Sequence, residues 1–190
     1  MENKEVVNKS ELLELASSAK NQINSLPYVA ASKSCNAGHV NTPTKLYYET
    51  MKSLQRLKEL GIETTEYVKT KLKYNSTLAV CKAFSAEQVD GIALAIYQVE
   101  VNKETFIIGD GTGMGKGREC AGLLRYAYHA GKIPMFLSKD TSLFNSIYRD
   151  IIDIGGFDES GKLPNPLIFN GCGKSSFNDE LRKEVFENER

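Results

Sequence analysis

Hydrophobic residues in the first hundred positions recur every three or four residues, which is the spacing of one face of an α-helix. The pattern predicts helices over about 10–26, 42–60, 64–72 and 76–83. Ser10 is the predicted cap of the first helix. Thr42 followed by Pro43 is a start signal for the second helix, and Gly61 is its stop signal. The segment 27–42 is rich in small polar residues and is expected to be a loop.

A further helix is indicated by Ser85-Ala-Glu-Gln88, which fits the capping-box pattern. The Ser85 hydroxyl can accept a hydrogen bond from the backbone N–H of Gln88, and the Gln88 side chain can reach back to the N–H of Ser85. Val89, Ile92 and Ile96 then follow at helical spacing. We expect this helix to cover 86 to about 101.

After Glu104 the pattern changes, and short apolar runs alternate with helical segments. The apolar runs predict buried strands over 105–108, 133–137 and 166–169. The segments between them predict helices over about 115–130 and 140–154. This alternation is typical of an α/β fold with a parallel sheet and flanking helices. Two domains are therefore predicted, a helical N-terminal extension over 1–83 and an α/β lobe over 84–190.

The amino-acid composition excludes only a few classes of function. The 24 Lys and Arg residues balance the 24 Asp and Glu residues, so no basic field points to nucleic acid. No run of apolar residues is long enough to span a membrane, and the first residues lack the features of a signal peptide. The cysteines have no C-x-x-C spacing, so neither a zinc knuckle nor a disulfide framework is predicted; a reducing, cytoplasmic compartment is the expectation.

The segment with the clearest chemistry is Gly109-Asp-Gly-Thr-Gly-Met-Gly-Lys-Gly117, between a predicted strand and a predicted helix. This is the setting of a P-loop, whose glycines let several backbone N–H groups point at phosphates. The helix N-terminus adds partial positive charge, and Lys116 adds a full charge for the β- and γ-phosphates. The predicted phosphate-binding residues are Asp110, Gly111, Thr112, Gly113, Met114, Gly115, Lys116, Gly117 and Arg118.

Two positions depart from the common pattern G-x-x-x-x-G-K-[S/T]. Asp110 stands in place of the first glycine, and Gly117 in place of the Ser or Thr whose hydroxyl usually holds Mg²⁺. The alternative interpretation of the segment is a flexible glycine-rich turn with a solvated lysine. A dinucleotide site is disfavoured because no G-x-G-x-x-G register fits.

The stretch from Phe106 to Arg118 resembles the P-loop of the Strawberry notch proteins, helicase-like NTPases of superfamily two found in animals, phages and bacteria. Their motif also has Asp before the loop and Gly-Arg after the lysine. The segments Phe84–Ile96 and Ser146–Gly155 are similar to the family as well. The resemblance covers 84–170 well, 27–83 loosely and 1–26 hardly at all, and the phage and bacterial branch is the most similar.

The resemblance implies a partial RecA-like P-loop NTPase lobe that binds ATP and Mg²⁺ in the cytoplasm of a bacterial or phage-infected cell. It implies that Gln88 reads the adenine edge, which suits a primary amide that both donates and accepts. The alternative is that Gln88 serves the capping box alone. The implied partner is nucleic acid, DNA rather than RNA, engaged together with a second lobe.

Ser138, Lys139 and Thr141 follow the second predicted strand, where superfamily-two motors contact the nucleic-acid backbone. The alternative is that these residues form a polar cap for the next helix. Arg118 could contact a phosphate or an acidic neighbour.

A complete motor also needs a Walker B carboxylate pair on a buried strand and a second lobe. Asp179-Glu180 follows no apolar run and is interpreted as surface charge. We therefore expect the nucleotide-binding N-terminal portion of a Strawberry notch-type helicase, incomplete for hydrolysis alone. The alternatives are a non-catalytic nucleotide-binding or regulatory module that works with a partner chain, and a stand-alone small NTPase or kinase.

Overall fold

The computed structural model describes residues 24–33, 35–38, 40–109, 113–140, 142–158 and 160–163. Most of the helix predicted over 10–26 and the whole strand predicted over 166–169 lie outside the described residues. So does the Asp179-Glu180 pair. Ser25 and Leu26, at the expected end of the first helix, lie in a strand, so that end of the prediction is wrong.

Helices dominate the described part of the chain. They are α1 (Thr44–Glu59), α2 (Thr64–Leu72), α3 (Thr77–Ala83), α4 (Ala86–Tyr97), a π-helix (Gln98–Asn102), α5 (Lys116–His129) and α6 (Ser142–Asp153). Two short strands, β1 (Ser25–Pro27) and β2 (Asn41–Pro43), pair in antiparallel register with Leu26 opposite Thr42. The helices predicted between residues 42 and 154 are therefore confirmed to within a few residues at each end.

The start of α1 differs from its prediction in one detail. Thr42 is part of β2, and the helix begins directly after Pro43 without a side-chain cap. The helix starts later than predicted, so Pro43 is the N-cap residue and Thr42 lies one residue too early to cap it. The capping box at the start of α4 is confirmed, since Ser85 Oγ accepts from Gln88 N at 3.4 Å and Gln88 Oε1 accepts from Ser85 N at 3.0 Å.

Helix α4 lies at the centre of the hydrophobic core, and α1, α2 and α5 contact it. Its residues Val89, Ile92 and Ile96 are completely buried. Glycine allows a close approach to α5: a Cβ on Gly122 would lie 2.9 Å from Ile92 Cδ1 and 3.1 Å from Phe84. The core draws on residues both before and after position 83. The domain boundary at 83/84 itself stays a prediction.

A buried carboxylate fixes the β1–β2 connection to the helices. Asp90 accepts hydrogen bonds from the backbone N–H groups of Ala31 and Ser32, from Thr64 Oγ1 and from the Tyr28 hydroxyl, at 2.6 to 3.1 Å. Burial raises the pKa of Asp90, and these four bonds, which lower it, do not overcome that effect. The network joins three parts of the fold through one side chain.

The parallel sheet expected from the segments 105–108 and 133–137 is not present among the described residues. Both segments lack strand pairing there, and the only described sheet is β1–β2. Alternate side chains are nevertheless exposed: Ile133 by 92%, Met135 by 72% and Leu137 by 82%. Periodicity identifies an extended segment, but a strand also needs a neighbour for its N–H and C=O groups.

A disulfide joins Cys35 to Cys81 in α3, with their Cα atoms 4.7 Å apart. The expectation that no disulfide forms is therefore wrong. The two cysteines are 46 residues apart, so no local spacing reveals their proximity. Within the described ranges, no helix is long and apolar enough to cross a membrane.

Candidate functional site

The described part of the glycine-rich loop turns directly into α5. Gly113 has a φ of 88° and Gly115 a φ of 79°, which is the left-handed region that glycine adopts without strain. Lys116 is the first residue of α5, and Arg118 N donates to Gly115 O at 2.9 Å. The loop therefore delivers the positive end of a helix and a lysine to the same place. Asp110, Gly111 and Thr112 lie outside the described residues.

Gln88 links the start of α4 to this loop. Its Nε2 donates to the backbone oxygens of Met114 at 3.2 Å and Gly115 at 3.3 Å. Its Oε1 is held at the same time by the Ser85 N–H. A Cβ on Gly115 would collide with Gln88 Nε2, so the close contact and the positive φ both require glycine. Gln88 thus positions the phosphate loop, and its reading of adenine stays a prediction.

Gly117 also stands at a close contact, with a carboxylate of α6. A Cβ added to Gly117 would lie well within 3.0 Å of Asp150 Oδ2, a separation that real Cβ atoms essentially never show. Burial raises the pKa of Asp150, against the lowering effect of the Arg118 charge. A side chain at position 117 would therefore fit only if the Asp150 carboxylate moved away.

Arg118 lies one residue further along α5 and points toward acidic and backbone oxygens. Its guanidinium donates to Asp153 Oδ2 at 3.2 Å and to Ala83 O at 3.3 Å. The acidic neighbour expected from the sequence is thus Asp153. Next to it, Glu119 is only 2% exposed and contacts Gly91 of α4. The first turn of α5 is therefore in contact with Ala83, Gly91 and Asp153.

A cavity of about 520 Å³ lies between α1, α4 and the loop, and Gly109, Met114 and Glu119 line its loop side. Its size is in the range of sites for small molecules. The far wall is formed by residues of β2 and α1, among them Thr42, Leu46 and Arg56. The cavity therefore borders the glycine-rich loop at Gly109 and Met114.

Ser138 lies in the segment that precedes α6. Its hydroxyl donates to Asp140 O at 3.0 Å and accepts from Asp140 N at 3.2 Å, while Asp140 Oδ1 accepts from Ser142 N at 2.9 Å. This is the polar-cap geometry considered from the sequence. Lys139 is exposed, and Thr141 lies outside the described residues. Their contact with nucleic acid stays a prediction.

Sequence reasoning missed two functional features, the tether from Gln88 to the loop and the carboxylate of Asp150. Both join segments that are distant along the chain. A signal for Asp150 existed, because a glycine in place of the usual hydroxyl indicates a close approach by another group.

A left-handed glycine turn that ends in lysine at a helix N-terminus defines a P-loop protein. Residues 49–165 match the model of a protein family that is described as P-loop containing NTP hydrolase pore-1. This range is more than half of the 190 residues, and the chain belongs to that family. No curated protein and no solved structure matches the chain.

Proposed function

We propose that this chain binds ATP with Mg²⁺ through the loop 109–117, as the nucleotide-binding portion of a Strawberry notch-type helicase-like NTPase. The observation that carries the proposal is the entry into α5, where two left-handed glycines precede Lys116 at the helix start. Membership of the P-loop NTP hydrolase family supports nucleotide as the ligand. The Strawberry notch assignment rests on the resemblance around residues 84–170.

The phosphates are expected at the N-terminus of α5. Backbone N–H groups there have no partner within the helix, and the helix dipole favours negative charge. Glycines at 113 and 115 leave no side chain between the backbone and the phosphate oxygens. Lys116 supplies the full positive charge.

We propose that Gln88, which lies beside the loop, reads the adenine edge of the base. The Gln88 amide already holds the loop, so a change at this residue acts on phosphate binding as well as on base choice. The ratio of ATP to GTP affinity separates the two effects, since loosening the loop weakens both nucleotides alike.

The finer architecture is also part of the proposal. A RecA-like parallel sheet would include 105–108 and 133–137, whose exposed apolar side chains are suited to contact with further structure. The nucleic-acid partner, DNA rather than RNA, would be engaged together with a second lobe. Binding of DNA with a steep salt dependence is the expected sign of such a motor.

The experiment is an ATP titration of the purified chain with and without Mg²⁺. Lys116→Ala is expected to lose binding about tenfold or more, because a full charge at the phosphates is removed. Lys82→Ala is the matched control, since Lys82 is an exposed lysine on α3. Equal ATP affinity in wild type and Lys116→Ala would contradict the proposed phosphate site. Robust, Lys116-dependent hydrolysis of ATP by the chain alone would contradict the expectation that the chain is incomplete for hydrolysis on its own.

The second candidate function is a non-catalytic nucleotide-binding module that works with a partner chain. The exposed apolar side chains of Ile133, Met135 and Leu137 favour it, because such a row is typical of a protein contact surface. ATP binding that neither needs nor promotes nucleic-acid binding would support this candidate over the motor.

A further inference from the structure

Gly117 raises the question of which group contacts the metal ion. In the common P-loop the residue after the lysine is Ser or Thr, and its hydroxyl is a ligand of Mg²⁺. The backbone of α5 fixes the direction in which a side chain at position 117 points. Any replacement for the missing hydroxyl must therefore place an oxygen atom in that direction.

Asp150 places a carboxylate oxygen where the side chain of residue 117 would point. Its Oδ2 lies within the volume that the Cβ of residue 117 would fill, and its Cγ lies 3.0 Å from the same point. The carboxylate thus occupies the place of the side chain that Gly117 lacks. Because Gly117 and Asp150 belong to different helices, the contact depends on the packing of α6 against α5.

We propose that Asp150 replaces the P-loop hydroxyl as a protein ligand of the Mg²⁺ that accompanies the nucleotide. This inference rests on the proposed ATP site. Carboxylate oxygens suit Mg²⁺, which is usually bound by one or two carboxylates together with substrate phosphates and waters. A single carboxylate beside the phosphates is therefore a sufficient protein contribution. Among the described residues, no group of three or more acidic, His or Cys side chains offers an alternative metal site.

The surroundings of Asp150 leave it available for a cation. In the described part of the chain, no hydrogen bond or ion pair engages its carboxylate, and Arg118 makes its ion pair with Asp153 instead.

The position of Asp150 is fixed by its neighbours on α6. Ile147 and Ile151 are buried in the core, so the helix cannot rotate without exposing them. Helix α6 also makes extensive contact with α5. The carboxylate is therefore held at residue 117 by packing, which is what a metal ligand requires.

The test compares ATP affinity with Mg²⁺ and with EDTA, and counts bound Mn²⁺ by electron paramagnetic resonance in the presence of ATP. In Asp150→Asn, the gain in ATP affinity that Mg²⁺ provides is expected to fall about tenfold, and Mn²⁺ binding should weaken in parallel. Metal-free ATP affinity should stay equal or rise, since a negative charge near the phosphates is lost. Glu59→Gln is the control: it neutralises an exposed carboxylate at the end of α1 and should keep the full metal dependence.

The reciprocal variant tests the geometry. Gly117→Ser alone should destabilise the protein, because the new side chain and Asp150 occupy one volume. Gly117→Ser combined with Asp150→Ala should relieve that conflict and restore the gain from Mg²⁺ through the hydroxyl. An unchanged metal dependence in Asp150→Asn, with wild-type ATP binding intact, would overturn the inference and leave the proposed function standing. Failure of the wild type to bind ATP under either condition would overturn both.

Discussion

Gln88 Nε2 lies 3.3 Å from Gly115 O, and this hydrogen bond joins the capping box of α4 to the phosphate loop. The same amide keeps its Oε1 on the N–H of Ser85. One side chain therefore serves two structural roles at once, and the shape of the loop depends on the start of another helix.

Gln88→Glu should separate the two roles. The substitution retains an acceptor for Ser85 N but replaces the donor that faces the oxygens of Met114 and Gly115. Oxygen facing oxygen is expected to lower the free energy of unfolding by about 1–3 kcal/mol and to weaken ATP binding. Ser85→Ala is the control: it removes the Oγ acceptor of the Gln88 N–H at a cost of about 1 kcal/mol and should leave ATP affinity unchanged. Similar ATP affinities in the two variants would contradict a role of Gln88 in shaping the loop.

Gly122→Ala should destabilise the α4–α5 contact. The added methyl would meet Ile92 and Phe84 at 2.9 to 3.2 Å, and overpacking of this kind costs about 1–3 kcal/mol. This cost should outweigh the gain in helix propensity of about 1 kcal/mol. Chemical denaturation measures the difference. Adding Ile92→Val removes the nearest methyl and should recover part of the loss, whereas additive effects in the double variant would argue against a direct clash.

Asp90→Asn should loosen the β1–β2 connection. The amide group offers one oxygen where the carboxylate accepts four hydrogen bonds, so donors such as Ala31 N and Tyr28 Oη lose their partner. We expect the free energy of unfolding to fall by about 2–4 kcal/mol. Asp153→Asn changes an exposed carboxylate and should alter stability by no more than about 0.5 kcal/mol. Equal stability of the two variants would show that the Asp90 network contributes little.

His129 should make stability depend on pH. Burial lowers its pKa, the charge of Arg125 lowers it further, and a hydrogen bond that His129 donates to the backbone of Phe157 opposes them. A lowered folded-state pKa means that the unfolded chain binds the proton first. The free energy of unfolding is therefore fully retained above about pH 6.5 and decreases as pH falls toward the folded-state pKa.

The measurement for His129 is chemical denaturation at pH 7.5 and pH 5.5, in wild type and in His129→Gln. The chain has two histidines, so the difference between the two curves isolates the share of His129. The partial negative charge at the C-terminal end of α5 would by itself favour protonated His129. The lowered pKa indicates that burial and Arg125 outweigh this effect. A steeper pH dependence in the variant than in wild type would contradict the prediction.

The features that the sequence predicted well are local ones. The start of α5 at the glycine-rich loop and the Ser85–Gln88 cap depend on residues that are neighbours along the chain. The end of α1 near Gly61 has the same origin, because glycine adopts the positive φ that stops a helix. For such elements a few residues contain most of the necessary information.

The features that were missed depend on residues that meet only after folding. The Cys35–Cys81 bond joins a loop to α3, and the Asp150 carboxylate reaches Gly117 from another helix. The strands predicted over 105–108 and 133–137 are absent among the described residues for a related reason: a short apolar run favours an extended backbone, but it does not supply a paired neighbour. The preferences of individual residues for helix or strand cannot specify contacts of this kind.

The exposed apolar row at Ile133, Met135 and Leu137 has a practical consequence for handling the protein. Exposed apolar side chains favour contact between molecules, so the purified chain should self-associate as its concentration increases. Replacing Ile133 and Leu137 by threonine keeps residues that favour an extended backbone and removes two of the exposed apolar side chains. Light scattering of this variant should show a monodisperse species at concentrations where the wild type forms larger particles.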